Sequence, residues 1–187
     1  TALTTSKNRV ISAINTMRAN GYTNVPLGIA WGWRTLSPGQ PFPEGRAHDA
    51  RENQKIMIIM TDGNNYQATS ATFNKSQYGA HGLQENGRLF QGFSGGTNAR
   101  HTSSNYTRAM DEHMLKTCSN AKQAGIRLYT VAFDVRDGSS VKKALAACAS
   151  RSPTTGKPLY FDAKGSKELL AAFKTIGSEV ASLRIAE

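Results

Sequence analysis

Hydrophobic residues recur at two different spacings along the chain, and together these spacings predict an α/β fold. Apolar residues three or four positions apart indicate helices, and short runs rich in Ile, Val, Tyr and Phe indicate strands. The predicted order alternates strands with helices, which is typical of a parallel sheet with helices on both faces. The predicted helices lie at 6–19, 26–36, 106–121, 141–148 and 169–183, and the predicted strands lie near 55–60, 127–133 and 158–161.

The strand near 55–60 is a continuous apolar run that follows Lys55. Runs without alternation are typical of parallel strands that are buried on both faces. We therefore expect both faces of this strand to be covered.

A polar segment at about 64–101 comes next, rich in Gly, Asn, Gln and Ser. A loop of this length is unusual inside a compact domain and is often functional. Because loops on a rigid scaffold commonly carry recognition, we expect this insertion to contribute partner specificity.

Two oxygen-bearing side chains occupy loops in which α/β sheets bind ligands. Asp62 follows the strand near 55–60, and Thr23 precedes the helix at 26–36. Ligands bind beyond the carboxyl ends of parallel strands, and carboxylate and hydroxyl oxygens suit Mg²⁺ or Ca²⁺. An Asp-Gly pair after a strand is more often a plain turn, so this pattern alone leaves both interpretations open.

The charge balance is strongly basic: 187 residues, enough for one domain, carry a net charge of +10. A basic chain can bind nucleic acid or an anionic cell-envelope surface. The Lys and Arg residues are scattered and match no nucleic-acid-binding module, so we do not expect specific nucleic-acid binding.

Enzymatic function is not expected, because the nucleophile-elbow, zinc-protease and phosphate-loop motifs are absent from the sequence. Asp134 and Asp137 follow the strand near 127–133 and could approach Asp62. The alternative from another class is therefore a hydrolase that uses a metal or carboxylates at the same strand ends.

The two cysteines, Cys118 and Cys148, lie on predicted helix faces. They are either two buried thiols or a disulfide, and we favour the disulfide if the compartment is oxidising.

The strand-end residues resemble the von Willebrand factor A (VWA) family. Gly21–Val25 is similar to its Thr loop, and Lys55–Gly63 to its strand ending in Thr-Asp-Gly. The resemblance implies a Rossmann-like fold with a metal-ion-dependent adhesion site. In that site Thr23 and Asp62 would be metal ligands, and Asn24, Gly63 and Asn64 would lie in the partner-binding loops.

Within that family, the chain is most similar to TadE/TadG-like proteins of tight-adherence (Tad, or Flp) pilus assembly. This resemblance rests on Thr23–Pro38, on Cys118 with Lys122, on Ala147–Ser150 and on the ending Leu183–Ile185, of which 184 and 185 lie outside the residues described below. It implies a protein-binding module outside the cytoplasm, in the periplasm or at the cell surface. Its partner would be another envelope or pilus protein, and a segment absent from this sequence would anchor the full-length protein in a membrane.

One departure from the family concerns its D-x-S-x-S motif, which does not occur here. In the family this motif lies on the first, central strand, so we expect residues 1–187 to be the later part of one VWA-like domain, incomplete at the N-terminus. The Mg²⁺ or Ca²⁺ expected in the intact domain could then be missing from this chain. The edge near Ile56–Met60 would be open, and we expect a missing segment or another copy to cover it.

Overall fold

The computed structural model describes residues 2–51, 53–69 and 77–183. Within them the helices are α1 (Lys7–Asn15), α2 (Val25–Leu36), α3 (Ser103–Gln123), α4 (Ser140–Cys148) and α5 (Ser166–Leu183). The strands are β1 (Lys55–Thr61), β2 (Tyr78–Gly79), β3 (Gly82–Leu83), β4 (Ile126–Phe133) and β5 (Tyr160–Ala163).

The main sheet has the order β1-β4-β5, and both strand pairs are parallel. Helices α2, α3 and α4 lie on one face, and α5 packs on β4 and β5 on the other. The predicted α/β class, with a parallel sheet between helices, is confirmed. The third strand begins two residues later than predicted, since Pro158 instead forms an isolated bridge with Arg151.

The expectation that the first strand is buried on both faces is wrong in this structure. Met57 and Ile59 are buried beneath α2 and α3, whereas Ile58 and Met60 on the other face are 41% and 51% exposed. The physical reason is position: β1 is the edge of the sheet, and α5 packs mainly on β4 and β5, with Ile56 of β1 at the margin of the apolar cluster on that face.

The core on the α2–α3–α4 face is continuous from β1 to β4. Ile29 of α2, Met114 of α3 and Leu145 of α4 are almost fully buried there, together with Leu128 of β4. This cluster joins the edge strand to the centre of the sheet.

Cys118 and Cys148 form a disulfide that joins α3 to α4, with their Cα atoms 5.3 Å apart. Of the two alternatives left open by the sequence, a disulfide or two buried thiols, the structure shows the disulfide. In the chain-entropy account, a bridge over 30 residues stabilises the fold by about 3.6 kcal/mol.

The described parts of the 64–101 insertion contain regular secondary structure. They include the β2–β3 hairpin and two short 3₁₀ turns, Gln84–Asn86 and Arg88–Phe90. Leu89, Phe90 and Phe93 form a second core against Tyr106 and Met110 of α3. The insertion is therefore attached to α3 by its own apolar cluster. The sequence did not predict this cluster, because its aromatic residues are isolated in a polar segment.

The first helix is shorter than predicted and has no buried residue. Val10 and Ile14, which share one face of this helix, are 42% and 55% exposed. None of the helices in the described ranges is long and apolar enough to cross a membrane.

Candidate functional site

Asn65 is the organising residue at the carboxyl end of β1. Its buried side-chain Oδ1 accepts a hydrogen bond from the backbone N–H of Val25 at 2.8 Å, and its Nδ2 donates to Oδ1 of Asp111 at 2.8 Å. Its backbone carbonyl accepts a hydrogen bond from the Thr107 hydroxyl at 3.0 Å. One side chain thereby ties the loop after β1 to the start of α2 and to α3.

The loop that carries Thr23 is held against the same segment. The N–H of Tyr66 donates to the carbonyl of Thr23 at 3.0 Å, and the Tyr22 and Tyr66 rings meet edge to face at 5.3 Å. Asn24 caps α2 by accepting a hydrogen bond from the N–H of Leu27, and Pro26 lies in the first turn. The predicted Thr23 loop and the loop after β1 are therefore neighbours.

The turn after β1 presents Asp62 to solvent. The Thr61 hydroxyl donates to the carbonyl of Gly63 at 3.0 Å and accepts from its N–H at 3.3 Å, which closes the turn. Asp62 and Asn64 are exposed, and Gly63 is half-buried. The structure places these predicted residues at an accessible strand end.

A groove of about 380 Å³ runs from this turn along the open edge of β1. It lies between β1 and α2, and it is polar at the strand end and apolar elsewhere. Its lining, here called the β1 groove, comprises Thr23, Asn24, Val25, Gly28, Ile29, Gly32, Met57, Ile58, Ile59, Met60 and Thr61.

The residues present do not make a complete metal site. Thr23 and Asp62 offer two oxygen donors, fewer than Mg²⁺ or Ca²⁺ takes from its six or more ligands. No three His, Cys, Asp or Glu side chains come together as metal ligands anywhere in the described ranges. Asp111, the acidic residue nearest to Asn65, is engaged with its amide.

Asp137, considered for a hydrolytic site, belongs to a network of ion pairs beyond β4 and β5. Its carboxylate contacts Lys142 and Lys164 at 2.5 Å each, and Lys142 also contacts Asp162 at 2.7 Å. Hydrogen bonds from both lysines lower the pKa of Asp137 to about 2. These contacts tie the start of α4 to the end of β5, which is a structural role.

Sequence reasoning missed Asn65 and Asp111. Asn65 follows an exposed asparagine in a polar stretch, and nothing local distinguishes the two. Asp111 follows the buried Met110 on α3, but nothing in the helical spacing shows that it pairs with a residue 46 positions away.

Comparisons with known proteins indicate a fold related to an adhesin. A scan against protein-family models finds no match, and a search of curated proteins finds none either. Among solved structures, the chain is similar to the pilus adhesin SpaC from Lactobacillus rhamnosus GG, with a TM-score of 0.54 and 16% sequence identity. The match covers 95% of this chain and 21% of the adhesin, so the chain spans about a fifth of that protein.

Proposed function

We propose that the chain is a protein-binding module that acts in pilus assembly or surface adhesion. The observation that carries this proposal is the fold likeness to a pilus adhesin over 95% of the chain. The β1 groove and the exposed turn at Asp62 supply a surface on which another envelope or pilus protein could dock. A binding role, rather than a catalytic one, is what these features favour.

The finer proposal is a VWA-type module of the Tad pilus family. Its support is the similarity of Thr23–Pro38 and Lys55–Gly63 to that family, together with the parallel sheet. We propose an extracytoplasmic location, with the full-length protein anchored in a membrane. The Cys118–Cys148 disulfide fits an oxidising compartment.

Divalent-cation dependence is a further part of the proposal. Thr23 and Asp62 would contribute two ligands, and polypeptide outside this sequence or an acidic side chain of the partner would complete the shell. Asn24, Gly63 and Asn64 would line the partner-binding surface around the cation. The support is the oxygen chemistry of these residues and the hydrogen bond that holds the Thr23 loop beside the loop after β1.

The test is genetic. Deletion of the coding gene in the native organism should reduce the number of surface pili and adhesion to a substrate. Restoration should succeed with the unsubstituted gene and with Asp49→Ala, an exposed control position, and should fail with Asp62→Ala. Unchanged piliation and adhesion after deletion would refute the proposed function.

A further inference from the structure

The outward side of α2 carries an exposed tryptophan. Trp31 is 43% exposed, and Leu27, one turn earlier in the same helix, is also exposed. Val25 and Ile29 share the opposite side of the helix and are buried in the core, against which Trp33 also packs. Because tryptophan is highly buried on average in folded proteins, an exposed Trp beside an exposed Leu on one helix face calls for an explanation.

Two neighbours hold the Trp31 ring in place. The guanidinium of Arg34 lies over the ring, 5.0 Å from its centroid, and the Phe42 ring meets it edge to face at 6.2 Å. Phe42 comes from the loop after α2, so the cluster joins two segments of the chain. Side chains that are already ordered lose less conformational freedom when a partner binds. The α2 patch, defined as Leu27, Trp31, Arg34 and Phe42, is therefore preorganised for binding.

Arg34 has no acidic partner among the described residues. None of the ion pairs there includes it, and none includes Glu44, the acidic residue nearest to it in the sequence. The helix dipole favours a cation in the last turn of α2, but it does not explain the exposed Trp31 beneath the guanidinium. A guanidinium carries five N–H donors, and two of them can bind both oxygens of one carboxylate. The α2 patch therefore offers an unpaired site for an anionic group.

We propose that the α2 patch binds an acidic, apolar peptide segment of a partner protein. A carboxylate of that segment accepts hydrogen bonds from Arg34, and a neighbouring apolar side chain packs on Trp31 and Leu27. Gly28 adjoins Trp31 on the helix surface, and a Cβ atom there would meet no atom within 4 Å, which leaves room for that side chain. Trp and Arg are residue types that often dominate the binding energy of protein interfaces. This inference rests on the proposed binding function and names the chemistry of the partner.

A second copy of this chain and a lipid surface fit the α2 patch less well. A two-fold contact through so small a patch would bring Arg34 of one copy close to Arg34 of the other, and like charges repel. An anionic lipid surface is recognised by clusters of several cations, whereas Arg34 is the one charged residue of α2. A single guanidinium beside an aromatic ring suits one carboxylate with an apolar neighbour.

The probe is a fluorescein-labelled peptide of alternating aspartate and phenylalanine residues, and fluorescence anisotropy with the whole chain measures its binding. The peptide should bind saturably, whereas matched peptides with asparagine for aspartate or alanine for phenylalanine should not. Arg34→Gln and Trp31→Ala should each weaken binding about tenfold or more, because they remove a charged hydrogen bond and a central aromatic contact.

Two exposed residues outside the α2 patch provide matched controls. Tyr78→Ala removes another exposed aromatic ring, and Arg18→Gln removes another exposed guanidinium. Both variants should bind the peptide as the unsubstituted chain does. Arg18→Gln and Arg34→Gln lower the net charge of +10 equally, so a difference between them separates recognition by the patch from attraction to the whole chain.

Nuclear magnetic resonance provides the second measurement. The chain has two tryptophans, and their indole N–H signals report separately on the exposed Trp31 and on Trp33, which packs against the core. Saturation with the aspartate–phenylalanine peptide should shift the Trp31 signal and leave the Trp33 signal unchanged.

Absence of binding, equal binding of the asparagine peptide, full binding by Arg34→Gln or Trp31→Ala, an equal loss in Arg18→Gln or an unshifted Trp31 signal would each overturn the proposal. Self-association that Arg34→Gln abolishes would assign the patch to a second copy, and binding to phosphatidylglycerol vesicles that Trp31→Ala abolishes would assign it to a membrane. Either result would also overturn the proposal. Peptide binding is independent of Asp62 and of piliation, so failure here with a deletion phenotype intact removes only this contact and leaves the adhesion role.

Discussion

The side-chain amide of Asn65 donates a hydrogen bond to Oδ1 of Asp111 at 2.8 Å, which joins the loop after β1 to the middle of α3. The oxygen of the same amide accepts a hydrogen bond from the backbone N–H of Val25. A donor and an acceptor on one buried side chain thus hold three segments that are distant in the sequence. The position of the candidate site depends on this link.

Replacement of Asn65 by alanine should destabilise the fold by about 1–3 kcal/mol, because the N–H of Val25 and the carboxylate of Asp111 both lose their partner. Urea unfolding followed by circular dichroism measures the change. Asn64→Ala is the matched control, since Asn64 is exposed and should change stability by less than about 0.5 kcal/mol. Equal effects of the two substitutions would contradict the bridging role of Asn65.

Removal of the disulfide should lower the free energy of unfolding by about 3.6 kcal/mol, because the unfolded chain regains the freedom of a 30-residue loop. The variant is Cys118→Ala with Cys148→Ala, measured by urea unfolding against the oxidised chain. Reductant should lower the Tm of the unsubstituted protein and leave that of the double variant unchanged. A Tm that reductant lowers equally in both would show that the bridge is not its target.

Stability should decline in acid through Asp137. Lys142 and Lys164 lower its pKa from 3.8 to about 2 in the folded protein. The unfolded state therefore takes up the proton first as the pH falls, and the stabilisation is complete above about pH 4 and is lost between about pH 4 and pH 2. Asp137→Asn should flatten the dependence of unfolding free energy on pH in this window, whereas Asp49→Asn should not.

Mg²⁺ binding tests the cation proposal. Isothermal titration calorimetry of the metal-free chain should show weak Mg²⁺ binding. Asp62→Asn or Thr23→Val should reduce the Mg²⁺ affinity by roughly 10–100-fold or more, because even the loss of a residue that hydrogen-bonds to a metal ligand has an effect of this size. Asp49→Asn should bind as the unsubstituted chain does. No binding by the unsubstituted chain would show that Thr23 and Asp62 do not hold Mg²⁺ without further ligands, and unchanged binding by both site variants would refute a cation site at these residues.

Much of the fold was predictable because its signals are local. Tyr106, Met110, Met114 and Cys118 recur at the helical period, and all four are buried along α3. Ser139 directly precedes α4, and its hydroxyl caps the helix by accepting a hydrogen bond from the N–H of Lys142. Such features depend on neighbours in the chain, which the sequence displays directly.

The candidate site was predictable only in outline. The loops that carry Thr23 and Asp62 were expected at strand and helix ends, and they lie there. The pairing of Asn65 with Asp111 spans 46 positions, and no local pattern marks it. The burial of Phe90 and Phe93 likewise depends on a distant surface of α3.

The sequence by itself determined the periodic elements, the basic charge and the oxygen-bearing residues of the strand-end loops. Only the tertiary structure decided that β1 lies at an edge, that its second face is half exposed and that the two cysteines are bridged. The physical reason is that the spacing of apolar residues and the composition are properties of a single segment. Burial and the pairing of hydrogen-bonding groups depend instead on which segments become neighbours in the fold. The same apolar run would be buried on both faces in the middle of a sheet, and here its position at the edge leaves one face half exposed.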